Sequence, residues 1–473
     1  MNYGRQVLLR NQFGFLRRQF LQEGDLPFTD VLSQETIAAA LDAIDGKWKD
    51  RIFTPLATLW VFLGQVLSAD HSCRAAVARL IAHRMSHGQK PCSSQTGAYC
   101  QARKRLPEKF FSAVTCMVGR ALDSKAAPEW LWKGRHVYMF DGTTVSMPDT
   151  LENQEAYPQP YNQKPGLGFP VARLGAIVSL SCGAIINLGL CRYAGKGQGE
   201  VSLLRRLWDI LSPGDVVLTD RLGANWTGIL LLHQRGIDSV SRLNKANRKA
   251  DFRRGTRLGK DDHIVCWRKP SSIRSVDWET YHQLPDYLMI RETRVRVEQP
   301  GFRSKSIIIV TTLLDPEQTT QEDLANLYLA RWNNEVDLRT IKSTMQMNIL
   351  RCRTPELVHK EIWVHILAYN LIRTIMAQAA DRHGVKPRTI SFKGAMQTLE
   401  AFQPLIDYQG QRSASFRENL HEELLDAIAR HHVANRPGRF EPRLRKRKPK
   451  PYSFLRKPRH ELKHKMLKRV TEN

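Results

Sequence analysis

A mixed α/β fold is what this 473-residue sequence predicts, and three observations predict it. Between about 135 and 243, short β-rich runs alternate with amphipathic helical ones. Before 130 and after 322, apolar residues recur at helical spacing. Between 246 and 321, the pattern changes to alternating strand-like segments flanked by turn residues.

The elements follow in order. Residues 1–130 read as helical: "SQETIAAALDAI" resembles a capped start without a strict capping box, and "FTPLATLWVFLGQVL" and "HSCRAAVARLIAHRMS" carry 3.6-type stripes. "SSQTGAYCQARKRLP" adds a helix ended by Pro107, with Arg103, Lys104 and Arg105 at its close. Helix, loop, basic helix suits a helix-turn-helix reader of DNA and an ordinary bundle equally. "RHVYMFDGTTVSM" then reads as β structure turning at Asp-Gly, and "LGAIVSLSCGAIINLGL" (174–190) as two buried strands joined at "SCG". "EVSLLRRLWDILS" is a helix stopped by Pro213-Gly214, and "DVVLTD" a short buried strand. "NWTGILLLHQRG" is a helix closed by Gly236, and "DSVSRL" another strand. The order β-β-β-α-β-α-β is that of a ribonuclease H-like core. It divides the chain into a first core part (131–245), an all-β insertion (246–321), a second core part (322–400), C-terminal helices (401–434) and a basic tail (435–473).

Charge is the strongest global signal. Lys and Arg number 72 against 46 Asp and Glu, a net charge of +26 and a pI near 9.9. Such an excess favours a polyanion, nucleic acid or an anionic membrane surface. The run at 174–190 approaches spanning length but is broken by "SCG", so no membrane span is expected. No secretory signal is visible. Eight scattered cysteines without a CxxC pair suit reduced thiols in the cytoplasm. The spacing of His83, His87, Cys92 and Cys100 matches no ordinary zinc pattern. In the tail, like-charge repulsion and repeated prolines predict an extended, disordered segment, either tracking a DNA backbone or simply solvated.

One helix is unusual. In "YLARWNNEVDLRTIK" (328–342), Tyr328, Arg331, Glu335, Arg339 and Lys342 fall within an arc of about 80°, along a stripe roughly 21 Å long. Apolar residues flank that arc, while Asn333, Asn334 and Asp337 form a separate polar side free to meet water. Two further acids close strands: Asp141 in "YMFDGTTV" and Asp220 in "DVVLTD". Each acid alone has an ordinary reading. Asp-Gly is a common turn, Asp220 can cap the next helix or pair with Arg221, and Glu335 can be the i+4 partner of Arg331. Three acids brought together would repel one another unless cations joined them. Hard divalent ions take such oxygen ligands, and a pair of them can activate an attacking oxygen and stabilise a leaving one.

The spacing Tyr328-x2-Arg331-x3-Glu335-x6-Lys342 resembles the YREK signature of DDE transposases of the insertion sequence four family. The acid blocks "DGTTVSMPDT" and "GDVVLTDR" are similar to that family's two Asp blocks, and the similarity extends over roughly residues 50 to 460. The resemblance implies a DNA transposase acting by cut and paste: hydrolysis at the element's terminal inverted repeats, then attack of the freed 3′-hydroxyl on target DNA. It implies Asp141, Asp220 and Glu335 as catalytic metal ligands for two Mg²⁺ ions, with Mn²⁺ able to substitute. Tyr328, Arg331 and Lys342 would contact DNA near the cut. A homodimer on paired ends is expected, in the cytoplasm or on the nucleoid, with the insertion closing over the element end. In relatives a base is flipped onto an aromatic residue, for which Trp267 and Trp278 are the insertion's candidates. The rival readings are a metal-dependent nuclease or resolvase with the same core, and a DNA-binding derivative without chemistry.

Overall fold

The computed structural model describes residues 34–42, 44, 51–86, 88–246, 248–273, 278–296, 306–408, 414–433 and 452–471. Five helices come first: α1 (Gln34–Asp42), α2 (Pro55–Leu67), α3 (Cys73–Ser86), α4 (Gly97–Arg105) and α5 (Glu108–Ser124). α2 starts where Thr54 accepts from the Ala57 amide and Pro55 supplies the first helical φ. The sheet strands are β1 (Val137–Ser146), β2 (Val171–Ser179), β3 (Ile185–Arg192), β4 (Val216–Leu218) and β5 (Asp238–Arg242). Helix α6 (Leu151–Ala156) lies between β1 and β2, α7 (Glu200–Leu207) follows β3, and α8 (Trp226–Gln234) joins β4 to β5.

Strands β1, β2 and β3 form an antiparallel meander, and β1, β4 and β5 pair in parallel. This is the expected core order. The Asp141-Gly142 pair is not a turn, however. β1 runs straight through it, because β2 pairs with β1 from Tyr138–Ser179 to Ser146–Val171 without a break. Gly142 serves close packing instead: a Cβ there would lie 2.8 Å from the Glu200 side chain.

The segment 246–321 contributes β6 (Thr256–Gly259), β7 (Asp262–Arg268), β8 (Tyr287–Arg296) and β9 (Ser306–Thr311), with a short helix α9 (Trp278–Gln283). These strands do not stand apart. β9 pairs antiparallel with β5, so one nine-stranded sheet runs β3-β2-β1-β4-β5-β9-β8-β7-β6. The insertion also has its own apolar cluster, in which Trp267, Leu288 and Ile290 pack against Trp226 and Ile229 of α8.

The chain returns through α10 (Gln321–Ala330), opened by a Thr320–Asp323 capping box, then α11 (Trp332–Arg339) and a π-helical turn at Thr340–Thr344. The charged stripe therefore spans a helix whose bonding tightens to i−3 at Arg331 and widens to a π-helical turn after Arg339. α12 (Pro355–Arg382) is buried on nearly every side. It packs on α2, α5 and the C-terminal helix α14 (Ala414–Ala429), and its Asn370 amide exchanges hydrogen bonds of 2.8 and 2.9 Å with the Ile185 backbone of β3. The N-terminal helices, the core sheet and α12 thus share one continuous apolar core. Among the described residues no helix is long and apolar enough to cross a membrane.

α13 (Phe392–Tyr408) precedes α14 and completes the C-terminal helices with it. In the tail, expected to stay extended, α15 spans Arg459–Thr471. It begins immediately after Pro458, the last residue able to break a helix there. Residues 434–451 lie outside the described set.

Candidate active site

Register builds the site. Met139 of β1 is level with Leu218 of β4 in a parallel pair. Asp141 and Asp220 each follow two residues after this last pair, Asp141 still within β1 and Asp220 just past the end of β4. Parallel pairing to β4 stops at Met139, leaving Asp141 open on that side although β2 continues on the other. Asp141 and Asp220 line one narrow pocket together with Glu200, Phe140 and Thr219.

The Asp141 carboxylate accepts from the Gly142 amide at 2.8 Å. Burial pushes its pKa up to about 6. The Gly142 amide and Arg331 pull the other way, while the negative charges of Asp220 and Glu200 add to the rise. Asp220 accepts from the Leu222 amide at 2.8 Å, and the cap of α8 is Asn225, not Asp220.

The returning helix supplies the remainder. Arg331 donates to Glu335 at 2.8 Å and reaches within 3.8 Å of Asp141. The ordinary i+4 reading of Glu335 is therefore realised, but the same guanidinium also spans toward the strand acid. Lys342 donates to Thr143 of β1 at 3.1 Å, two residues from Asp141, and burial lowers its pKa. Tyr328 is 8% exposed, with the Arg331 guanidinium 5.8 Å from its ring centroid. Its ring lies behind Arg331. Arg339 is exposed.

Three sequence expectations change here. The polar side of the helix does not meet water: Asn334 and Asp337 are 0% and 1% exposed, while Glu335 looks outward. The helix is covered on that side by α12 and the segment after it, which periodicity alone does not reveal. Arg103, grouped with a basic cluster, is 4% exposed and turned inward to Tyr99, Gln65 and Cys73; only Lys104 and Arg105 are exposed. Of the two tryptophans, Trp267 is core, donating to Glu292 at 2.8 Å, whereas Trp278 is 74% exposed. Glu200, which no sequence pattern singled out, starts α7 and pairs with Arg173 at 3.1 Å; its only signal was an acid just after the "GKGQG" loop.

Among the described residues no three His, Cys, Asp or Glu side chains stand close enough together to hold a metal ion as they are placed. The candidate donors are nonetheless all carboxylate oxygens, the ligand type a hard divalent cation takes, with the Arg331 guanidinium standing between Asp141 and Glu335.

The sheet order is that of a ribonuclease H-like core, and sequence comparison supplies the class: the Transposase DDE domain profile matches residues 132–371, and the chain belongs to that family, whose enzymes cut and join DNA. Within it the chain is 26% identical over 397 residues to the transposase InsG for insertion sequence element IS4 of Escherichia coli strain K12, covering 83% of this chain and 85% of that one. The Escherichia coli transposase for insertion sequence element IS421 is 29% identical over 91 residues, 19% of this chain and 24% of its own length. A cryo-EM structure of the piggyBac transposase synaptic complex with hairpin DNA is 9% identical, with a TM-score of 0.43 over 88% of this chain and 85% of that one.

Proposed function

We propose that this DNA transposase works by two-metal phosphoryl transfer, with Asp141, Asp220 and Glu335 as metal ligands. The observation that carries the reading is that Asp141 and Asp220, each just beyond the paired part of β1 and β4, line one pocket, with Arg331 spanning from Glu335 toward Asp141. Two magnesium ions, once bound, would supply activation of the attacking oxygen and stabilisation of the leaving one.

The chain's own residues do the rest. Arg331 neutralises the acids before ions arrive and is then free to hold a phosphate of the cut strand. Lys342, held at Thr143, places a second cation beside the same strand. Tyr328 fixes Arg331 from behind. Exposed Lys249, Arg253, Arg254, Arg257 and Lys260 of the insertion offer charge to the DNA backbone. Trp278, stacked on Tyr281 at 6.2 Å and 19° and exposed, is the better platform for an unpaired base. The N-terminal helices contribute further DNA contact through exposed Lys104 and Arg105. The working unit is a homodimer on two paired terminal repeats, which afterwards joins them to target DNA.

Asp220→Asn tests the assignment. The variant retains its affinity for end DNA and loses magnesium-dependent nicking; continued nicking would remove Asp220 from the site. Joined product from precut ends separates the transposase from a nuclease that cuts without joining.

A further inference from the structure

The helix that carries Glu335 is a weak one. α11 has eight residues, no side-chain cap at its start, i−3 bonding at Arg331 and a π-helical turn at its end. Asn, Val and Asp are modest helix formers. Its rotation about its own axis must be set by tertiary contacts. Asp337, two residues after Glu335, points about 200° away and is 1% exposed. One of its oxygens is bonded by Arg373 of α12, the other by Arg388 at 2.5 Å.

Both arginines are tied to the β2–β3 turn. Arg388 donates to the carbonyls of Leu180 at 2.9 Å and Ser179 at 2.6 Å. Arg373 donates to the Tyr369 hydroxyl at 2.8 Å, which in turn donates to the Gly183 carbonyl at 3.0 Å. Gly183 has φ +83°, and a Cβ there would lie 2.9 Å from the Arg373 guanidinium carbon, so the turn is moulded around that group. Ser179 is paired with Tyr138 of β1, three residues from Asp141. A continuous path of short polar contacts therefore runs from the back of the Glu335 helix to the strand bearing Asp141.

We infer that Asp337 is a positioning residue for the transposition reaction: gripped by Arg373 and Arg388, it sets the rotation of α11 that presents Glu335 to Asp141 and Asp220. The inference rests on Glu335 being a reacting-site acid. One carboxylate between two buried guanidiniums is a poor device for stability, since apolar replacements of such groups are often tolerated. It is a good device for geometry, because two forked donors on one acceptor leave little angular freedom.

The test uses the full chain. Removing all three charges together, with Asp337→Leu, Arg373→Met and Arg388→Met, leaves no buried charge unpaired. Thermal midpoint, affinity for end DNA and single-turnover strand transfer from precut ends at saturating magnesium are measured. We expect a midpoint within about 3 °C of the parent, unchanged affinity, and strand transfer slowed about a hundredfold, the usual cost of an ångström-scale displacement. Arg388→Gln, which spares the Arg373 contact at a side chain 13% exposed, is expected to slow the step about tenfold at unchanged affinity, and decides the matter if the triple variant does not fold. Parental rates in the folded triple variant, or in Arg388→Gln if the triple does not fold, overturn the proposal. Glu335→Gln run alongside separates the two failures. If it abolishes transfer while the clamp variants work at full rate, only the positioning role falls; if it transfers strands normally, the site reading falls as well.

Discussion

Asp141→Asn should make the metal-free protein more stable, although it destroys the site. The folded protein holds the Asp141 proton with a pKa of about 6 against 3.8 for an ordinary aspartate, burial being the first cause. The protonated form is thus favoured by folding. That advantage is complete below about 3.8, erodes as pH rises and is gone above about 6. At pH 8 the native state carries an ionised group it disfavours by roughly 3 kcal/mol, at about 1.4 kcal/mol per pKa unit. An asparagine oxygen can still accept from the Gly142 amide, and the ion pair surrendered with Arg331 is a long one at 3.8 Å. Net stabilisation at pH 8 is therefore about 2–3 kcal/mol, read as a rise of several degrees in the thermal midpoint. The gain should fall to about half at pH 5 and vanish near pH 3.5, where the wild-type carboxyl is also neutral. Magnesium should then stabilise the wild type by about 2.7 kcal/mol at a hundredfold excess over Kd, raising its midpoint, and leave the variant's unchanged. An asparagine variant that melts at or below the wild-type midpoint at pH 8, or a gain that does not depend on pH, would refute the reasoning that burial destabilises this carboxylate.

Two further outcomes test the insertion. Arg291 is 0% exposed and forks onto Asp262 at 2.9 and 2.6 Å; Asp262→Ala leaves that guanidinium buried without its partner and should cost about 3–5 kcal/mol in denaturant unfolding. Trp278→Ala, at an exposed position, should leave unfolding within about 0.5 kcal/mol of the wild type while lowering processing of end DNA by about 1–3 kcal/mol if the ring stacks on a base. A large unfolding change or wild-type processing would place Trp278 among structural residues instead.

Much of the architecture was readable because its signals are local. Short apolar runs, glycine turns such as Gly183 and Gly236, and 3.6-residue stripes are each dictated by backbone sterics within a few residues. The helical span of α12 and the strands on either side of "SCG" needed nothing else. Failures came where a distant partner overrode a local preference. Asp141-Gly142 is a good turn pair, yet β2 holds it straight through unbroken pairing. Trp267 and Trp278 look alike in sequence, and only the fold of β7 against α8 sends one inside.

What the sequence by itself determined is the inventory: a basic chain, three acids in order, a helix bearing Tyr328, Arg331, Glu335 and Lys342 at a family spacing, and a core order that can bring them together. Tertiary structure alone decided how they meet. The parallel pairing of β1 and β4 brings Asp141 and Asp220 to one pocket, since lateral pairing depends on residues nearly eighty positions apart. The packing of α11 on β1, with Asp337 gripped by Arg373 of α12, turned Glu335 outward and Asp337 inward, because a helix has two polar faces in sequence and only its surroundings choose which one water sees.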